Sequence, residues 1–229
     1  MNLLPFVLLP YGLWAGYAGG AHLLAVRPIR KGPRNARRLA LTFDDGPDPV
    51  HTPKVLELLR GAGVHATFFV VGERAARAPG LVREMAAAGH EVENHTWSHS
   101  NLWLCGPGRT AREISRVQEL VTQLTGRQPR FFRPPWGMMN LAVFPTLRRL
   151  GMRCVLWSNQ PEGLRSVAPE EMASRVIRGA SPGAIVDLHD AEGVRGAPLR
   201  LLEALPRMLD GLAAAGYACV SLSELLGDA

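Results

Sequence analysis

Short apolar runs alternate with longer amphipathic stretches along most of this 229-residue chain. Strand-like runs fall at residues 39–43, 66–71, 91–94, 130–133, 152–157, 184–188 and 217–220. Between them, residues 52–62, 79–88, 110–124, 141–150, 169–178 and 199–215 carry apolar positions at helical spacing. In the first of these, Val55, Leu58 and Leu59 share one face. Several helical stretches stop at a glycine, among them Gly89, Gly126, Gly151 and Gly216. A final helix at 221–226 opens with Ser221 and has Glu224 three residues on, a capping box. Strand followed by helix, repeated with short links, predicts a parallel sheet covered by helices. About six or seven such units are many for a small open sheet, and suit an α/β fold in which βα units close into a barrel. In such barrels the chemistry sits at the C-terminal ends of the strands. The polar stretches Asp44-Asp45, 95–99, 133–137 and His189-Asp190 all fall there.

The first 26 residues break the pattern. They contain no Asp, Glu, Lys or Arg, and Arg27, Arg30, Lys31, Arg34, Arg37 and Arg38 follow at once. Such a stretch is long enough to span a bilayer. It lacks a basic n-region and a small-residue cleavage site, so it reads as an anchor and not a removed signal. Its Pro, Gly, Tyr and Trp also suit an interfacial segment. The chain therefore divides into a membrane-associating segment at 1–26, a basic linker at 27–38 and a folded domain at 39–229. The formal net charge of +6 resides in the linker: the remaining 20 basic residues balance 20 acidic ones. A neutral domain argues against nucleic acid as a partner. The basic cluster suits a juxtamembrane patch beside anionic headgroups. Charge on that side of a span favours a cytoplasmic domain. Three scattered cysteines with no C-x-x-C pair form no disulfide framework.

Candidate chemistry begins with His95 and His99. On a helical turn, imidazoles four apart would face one metal ion. Asp45 is a candidate third ligand, and two His plus one carboxylate leave positions open for water or substrate. Such a set favours zinc, with other divalent ions as alternatives. Asp44 would then be free to act as a general base. Taken alone, Asp-Asp-Gly-Pro is equally turn chemistry.

The motifs taken together resemble the polysaccharide deacetylases (the NodB-homology domain, carbohydrate esterase family 4). Thr42-Phe43-Asp44-Asp45-Gly46-Pro47, His95-Thr96-Trp97-Ser98-His99, Arg133-Pro134-Pro135-Trp136-Gly137 and Leu188-His189-Asp190 stand in the family's order. The resemblance covers about residues 39–226 and implies a distorted (β/α) barrel of about seven strands and metal-dependent hydrolysis of N-acetyl groups on amino sugars. It implies that Asp45, His95 and His99 hold the metal and Asp44 is the base. Arg133 would orient Asp44, the backbone N–H of Trp136 would meet the oxyanion, and His189 would be the acid. Trp136 stands where the family usually has Tyr, which a backbone role tolerates.

Two departures from the family pattern stand out. The fourth motif's Asp is missing from Trp157-Ser158-Asn159-Gln160-Pro161-Glu162, unless Glu162 replaces it. The Leu expected two residues before the acidic His, against the acyl methyl, is Asp187. Residues two apart on a strand face the same way, so Asp187 and His189 should both point at the site. Asp187 is thus a candidate tuner of His189, and it makes the acyl pocket more polar. The expected substrate is an envelope polysaccharide of peptidoglycan or chitin type, outside the cytoplasm. The alternatives are a lipid-linked amino sugar at the membrane, which a cytoplasmic domain could also reach, and a decayed sugar-binding site.

Overall fold

The computed structural model describes residues 4–20, 28–163, 166–193 and 195–227. Its parallel strands are β1 (Arg38–Asp44), β2 (Thr67–Val70), β3 (Glu91–Asn94), β4 (Phe131–Phe132), β5 (Arg153–Cys154), β6 (Ile185–His189) and β7 (Ala218–Cys219). The order is β5-β4-β3-β2-β1-β6, with β7 paired to the start of β1. The chain after β5 closes the ring. Asn159 bridges Val186, Ser158 N–H donates to Ile185 O at 3.0 Å, and Asp187 N–H donates to Asn159 O at 2.9 Å. The expected distorted barrel of about seven strands is therefore the fold. Its strands are shorter than the apolar runs at 130–133, 152–157 and 217–220, because only two residues of each make ladder pairs.

Helices α2 (Thr52–Gly61), α3 (Gly72–Arg77), α4 (Pro79–Ala87), α5 (Pro107–Thr125), α6 (Val143–Leu150), α7 (Pro169–Arg178) and α8 (Ala197–Ala214) wrap the sheet. The pattern missed α3, a single short stretch cut off from α4 where Pro79 opens a new helix. On β1, Leu39, Leu41 and Phe43 pack outward against helices, in one cluster with Val55, Leu59, Leu205 and Met208. Ala40 faces inward with Phe69, Phe131, Val155 and Ile185. Side chains two apart share a face, so Thr42 and Asp44 continue Ala40's row, and Asp187 and His189 continue that of Ile185. The register pairs Thr42 with Asp187 and Asp44 with His189. The lumen is apolar at mid-height and polar above it. At the bottom, helix α9 (Leu222–Leu226) plugs it with Leu222 and Leu225.

Helix α1 (Leu4–Gly19) has 16 residues, about 24 Å at 1.5 Å per residue, against a hydrocarbon core of about 30 Å. Among the described residues no helix is long and apolar enough to cross a membrane. The rest of the apolar segment, at 1–3 and 21–26, lies outside the described residues, as does Arg27. The far end of α1 docks on the barrel: Tyr17 Oη donates to Cys105 O at 3.2 Å and Leu141 N–H to Tyr17 O at 3.1 Å. Part of the 27–38 stretch is built into the fold. Ile29 bridges Val155 and Lys31 bridges Ala184, so the chain fills the gap between β5 and β6.

Candidate active site

The loops after β1, β3 and β4 are held in unusual backbone shapes. Asp45 (φ 72°), Thr96 (φ 68°), His99 (φ 52°) and Trp136 (φ 54°) are the non-glycine residues at positive φ among the described residues. Each such position costs about 1–3 kcal/mol and persists only where surroundings enforce it. Here Arg74 Nη1 donates to Asp45 O at 2.8 Å, Gly72 N–H to Thr96 O at 3.0 Å and Glu73 N–H to Trp97 O at 2.9 Å. The His95–His99 spacing does not work through a helical turn. Residues 95–100 form an irregular loop, and the left-handed Thr96 and His99 fold the two rings to 5.1 Å between centroids.

The result brings the metal-type donors together. One ligand atom each from Asp45, His95 and His99 lies within 4.8 Å of the others. His99 Nε2 is 2.9 Å and His95 Nε2 3.5 Å from Asp45 Oδ1. His95 Nδ1 donates to Arg133 O at 2.8 Å, which leaves its Nε2 turned into the site. This donor set fits a divalent ion: one orienting bond fixes the buried imidazole, and a buried carboxylate faces both rings. Burial opposes charge on Asp45, but His95 and His99 outweigh it and hold the carboxyl well below the usual carboxylate range. Burial likewise opposes charge on His95, and Asp44 and Asp45 more than offset it, raising that pKa.

Asp44 lies beside the triad and belongs to a different network. Arg133, fully buried, donates from Nη1 to Asp44 Oδ1 at 2.6 Å and to Thr42 Oγ1 at 2.7 Å. Its Nη2 donates to Leu156 O at 3.3 Å, and its guanidinium lies 4.2 Å from the Phe69 ring centroid. Asp187 Oδ1 is a looser third partner at 3.4 Å. The other Asp187 oxygen accepts from Gln160 Nε2 at 3.2 Å.

His189 shares the cavity with Asp187, and its buried Nδ1 has no hydrogen-bond partner among the described residues. Burial lowers the His189 pKa, but Asp187, then Asp45, Asp44 and Glu162, more than compensate and raise it. Asp187 therefore acts on His189 through space, while its hydrogen bonds go to Arg133 and Gln160. Glu162 is buried and paired to Arg200, Nε to Oε1 at 2.8 Å. These side chains, with Trp157 and Met138, line a cavity of about 500 Å³ at the strand ends. Trp136 stands half-exposed at its rim, its ring 4.5 Å from that of His99.

A sequence model of the family described as polysaccharide deacetylase matches residues 31–155, more than half of the chain. The chain belongs to the polysaccharide deacetylase family. It is a hydrolase acting on amide bonds. A peptidoglycan-N-acetylglucosamine deacetylase of Bacillus cereus is 38% identical over 196 residues, 85% of this chain and 90% of the relative. A solved peptidoglycan N-acetylglucosamine deacetylase matches with a TM-score of 0.82 at 31% identity, over 88% of this chain and 93% of that one. A family pseudoenzyme from Bacillus anthracis matches with a TM-score of 0.80 at 26% identity, over 90% and 70%.

The structure gives roles at the deacetylase site to residues for which the motifs offered none. A Cβ on Gly193 would collide with Asp45 Oδ2, so this loop closes directly over Asp45. Asp190, fully buried, accepts from Thr52 Oγ1 and braces the turn after β1; burial pushes its pKa up to about 7. Arg74 ties the Asp45 carbonyl to the Glu192 carbonyl. Asp190 stands inside the Leu188-His189-Asp190 motif but was given no role there, and Gly193 and Arg74 had no sequence signal, because each acts through a contact between distant loops.

Proposed function

We propose that this deacetylase removes the N-acetyl group from N-acetylhexosamine residues of an envelope glycan, of peptidoglycan or chitin type, with a divalent cation held by Asp45, His95 and His99. The observation that carries the reading is the meeting of that triad with an Arg-paired Asp44 and with His189 at one end of the barrel. Zinc suits two imidazoles and a carboxylate. When bound, the cation supplies Lewis-acid polarisation of the carbonyl and acidifies the attacking water. Asp44, oriented by Arg133, accepts the proton of that water. The backbone N–H of Trp136 meets the negative charge developing on the carbonyl oxygen. His189, favoured as imidazolium by the carboxylates around it, gives its proton to the departing nitrogen. The products are a free amine and acetate. The exposed Trp136 indole offers a face on which a sugar ring stacks.

The competing reading, a decayed sugar-binding protein, has a precedent in the family's pseudoenzyme. Asp44, Asp45, His95, His99, Arg133 and His189 weigh against it, since every role in the reaction has its side chain. The test is acetate release from peptidoglycan and chitin oligomers, with and without chelator. Release that chelation abolishes and zinc restores supports the proposal; a metal-free protein that releases no acetate overturns it.

A second reading, deacylation of a lipid-linked amino sugar at the bilayer surface, is favoured by one observation. The large apolar side chains exposed among the described residues are Leu13, Trp14, Val50, Trp103, Leu104, Trp136 and Leu199. All belong to α1 or to segments that follow strand C-terminal ends, and Trp136 among them lines the cavity. The basic cluster is elsewhere: Arg37 bonds to Ala215 O and Arg38 faces Glu224, at the bottom of the barrel. Binding to neutral phosphatidylcholine vesicles, and faster release from a lipid-linked amino sugar than from peptidoglycan, would favour this reading.

A further inference from the structure

The lumen immediately below the reacting groups is polar where an acetyl methyl would call for an apolar wall. Asp44 and His189 are register partners, and Asp187 lies two residues below His189 on the same face, about 6.6 Å deeper at 3.3 Å per residue. Asp187 lines the same cavity, and Gln160 Nε2 reaches its carboxylate at 3.2 Å. An N-acyl amino sugar attacked between Asp44 and His189 has its ring at the open mouth, by Trp136. Its amide nitrogen is bonded to that ring, so the remaining substituent on the carbonyl carbon points down the lumen. There the wall holds the Asp187 carboxylate, alongside the apolar Trp157 and Met138 of the same cavity.

We propose, on the reading given above, that Asp187 selects the acyl group, and that the preferred substrate carries a hydroxyacetyl (glycolyl) group in place of acetyl. A carboxylate has about four acceptor positions, and two side-chain contacts occupy Asp187: Gln160 Nε2 at 3.2 Å and Arg133 Nη1 at a long 3.4 Å. Arg133 is not available to neutralise it fully, since its short bond goes to Asp44 at 2.6 Å. A hydroxyl on the acyl carbon donates to a free Asp187 position. A methyl covers the carboxylate and returns no hydrogen bond. A site built to bond a hydroxyl discriminates strongly against the analogue lacking it. The reaction is unchanged in balance: water adds to the carbonyl, the C–N bond breaks, and the products are hydroxyacetate and free amine.

The experiment compares kcat/KM on one glucosamine tetrasaccharide, acylated either with acetyl or with hydroxyacetyl groups, using the zinc-loaded full chain. The wild type should prefer the hydroxyacetyl form by at least about tenfold. Asp187→Leu should reverse that order, read as the ratio of the two kcat/KM values, because losing the carboxylate beside His189 lowers both rates. Hydroxyacetate should inhibit the wild type more tightly than acetate does, a measurement that needs no variant. An acetyl preference in the wild type, with acetate the tighter inhibitor, overturns the proposal while leaving the amidohydrolase reading intact. Release from neither oligosaccharide overturns the amidohydrolase reading itself.

Discussion

Removing the Arg133 guanidinium tests how the upper lumen is held together. In Arg133→Met the apolar stem stays and the charge goes. Arg133 is fully buried, and Asp44 and Asp187 are only 3% and 1% exposed, so neither carboxylate gains water when its partner leaves. Breaking a buried ion pair from one side costs about 3–5 kcal/mol. In a chain of this size 1 kcal/mol lowers Tm by about 2–4 °C, so the variant should melt about 6–20 °C below the wild type. Calorimetry at neutral pH measures this. Burial and the neighbouring Asp44 already push the Asp187 carboxyl up to about 7, so near neutral pH it takes a proton when Arg133 leaves. Adding Asp187→Asn should recover part of the loss above about pH 7 and little below it, a coupling expected of groups in one network. A single-variant loss under about 1 kcal/mol, or a double variant less stable than the single, would refute the picture of one cation holding two carboxylates. Activity should fall as well, by about 10²–10⁴-fold, because the base loses its orienting partner.

Other outcomes follow from the same geometry. Asp44→Asn should lower kcat by about 10²–10⁴-fold with zinc content unchanged, whereas Asp45→Ala should lose the metal; elemental analysis beside kinetics separates the two. Gly193→Ala drives a Cβ into Asp45 Oδ2 and should weaken zinc binding by about 10–100-fold, the usual effect of disturbing a ligand's support, as a competing chelator would read. Asp190 holds its proton in the folded state up to about pH 7, while an unfolded Asp releases it near pH 4. Its stabilising effect is therefore complete below about pH 4 and is lost as pH rises to 7, by up to about 4 kcal/mol over three units. Urea titrations should show wild type losing stability relative to Asp190→Asn across that window; parallel curves would count against a buried, protonated Asp190.

Much of the site could be read from residue order. Asp44, Asp45, His95, His99, Arg133, Trp136 and His189 stand at the ends of apolar runs, and the barrel brings all but the fully buried Arg133 to the lining of one cavity. The helical-turn account of His95 and His99 did not survive. A four-residue spacing is compatible with a helix or with a loop bent by two left-handed residues, and only the loop's contacts to Gly72 and Glu73 select the second. Asp187 could be placed in the lumen by strand alternation. Its partners could not, because Arg133 and Gln160 reach it from the segments that follow β4 and β5.

Local periodicity and turn chemistry by themselves determined the number of strand–helix units, the parallel barrel and the level at which its polar groups lie. These depend on which residues alternate along a strand or share a helix face, and that is a property of near neighbours in the chain. The tertiary structure decided what is shared between strands. It supplied the contacts by which Asp45 faces both imidazoles and Asp44 bonds Arg133, a division the motif resemblance implies but local pattern does not. It directed Asp187 away from bonding His189, and brought Gly193 and Asp190 up behind the first loop. Each of these choices is a contest between buried charges and donors more than 25 residues apart, settled only when the closed barrel removes water from among them.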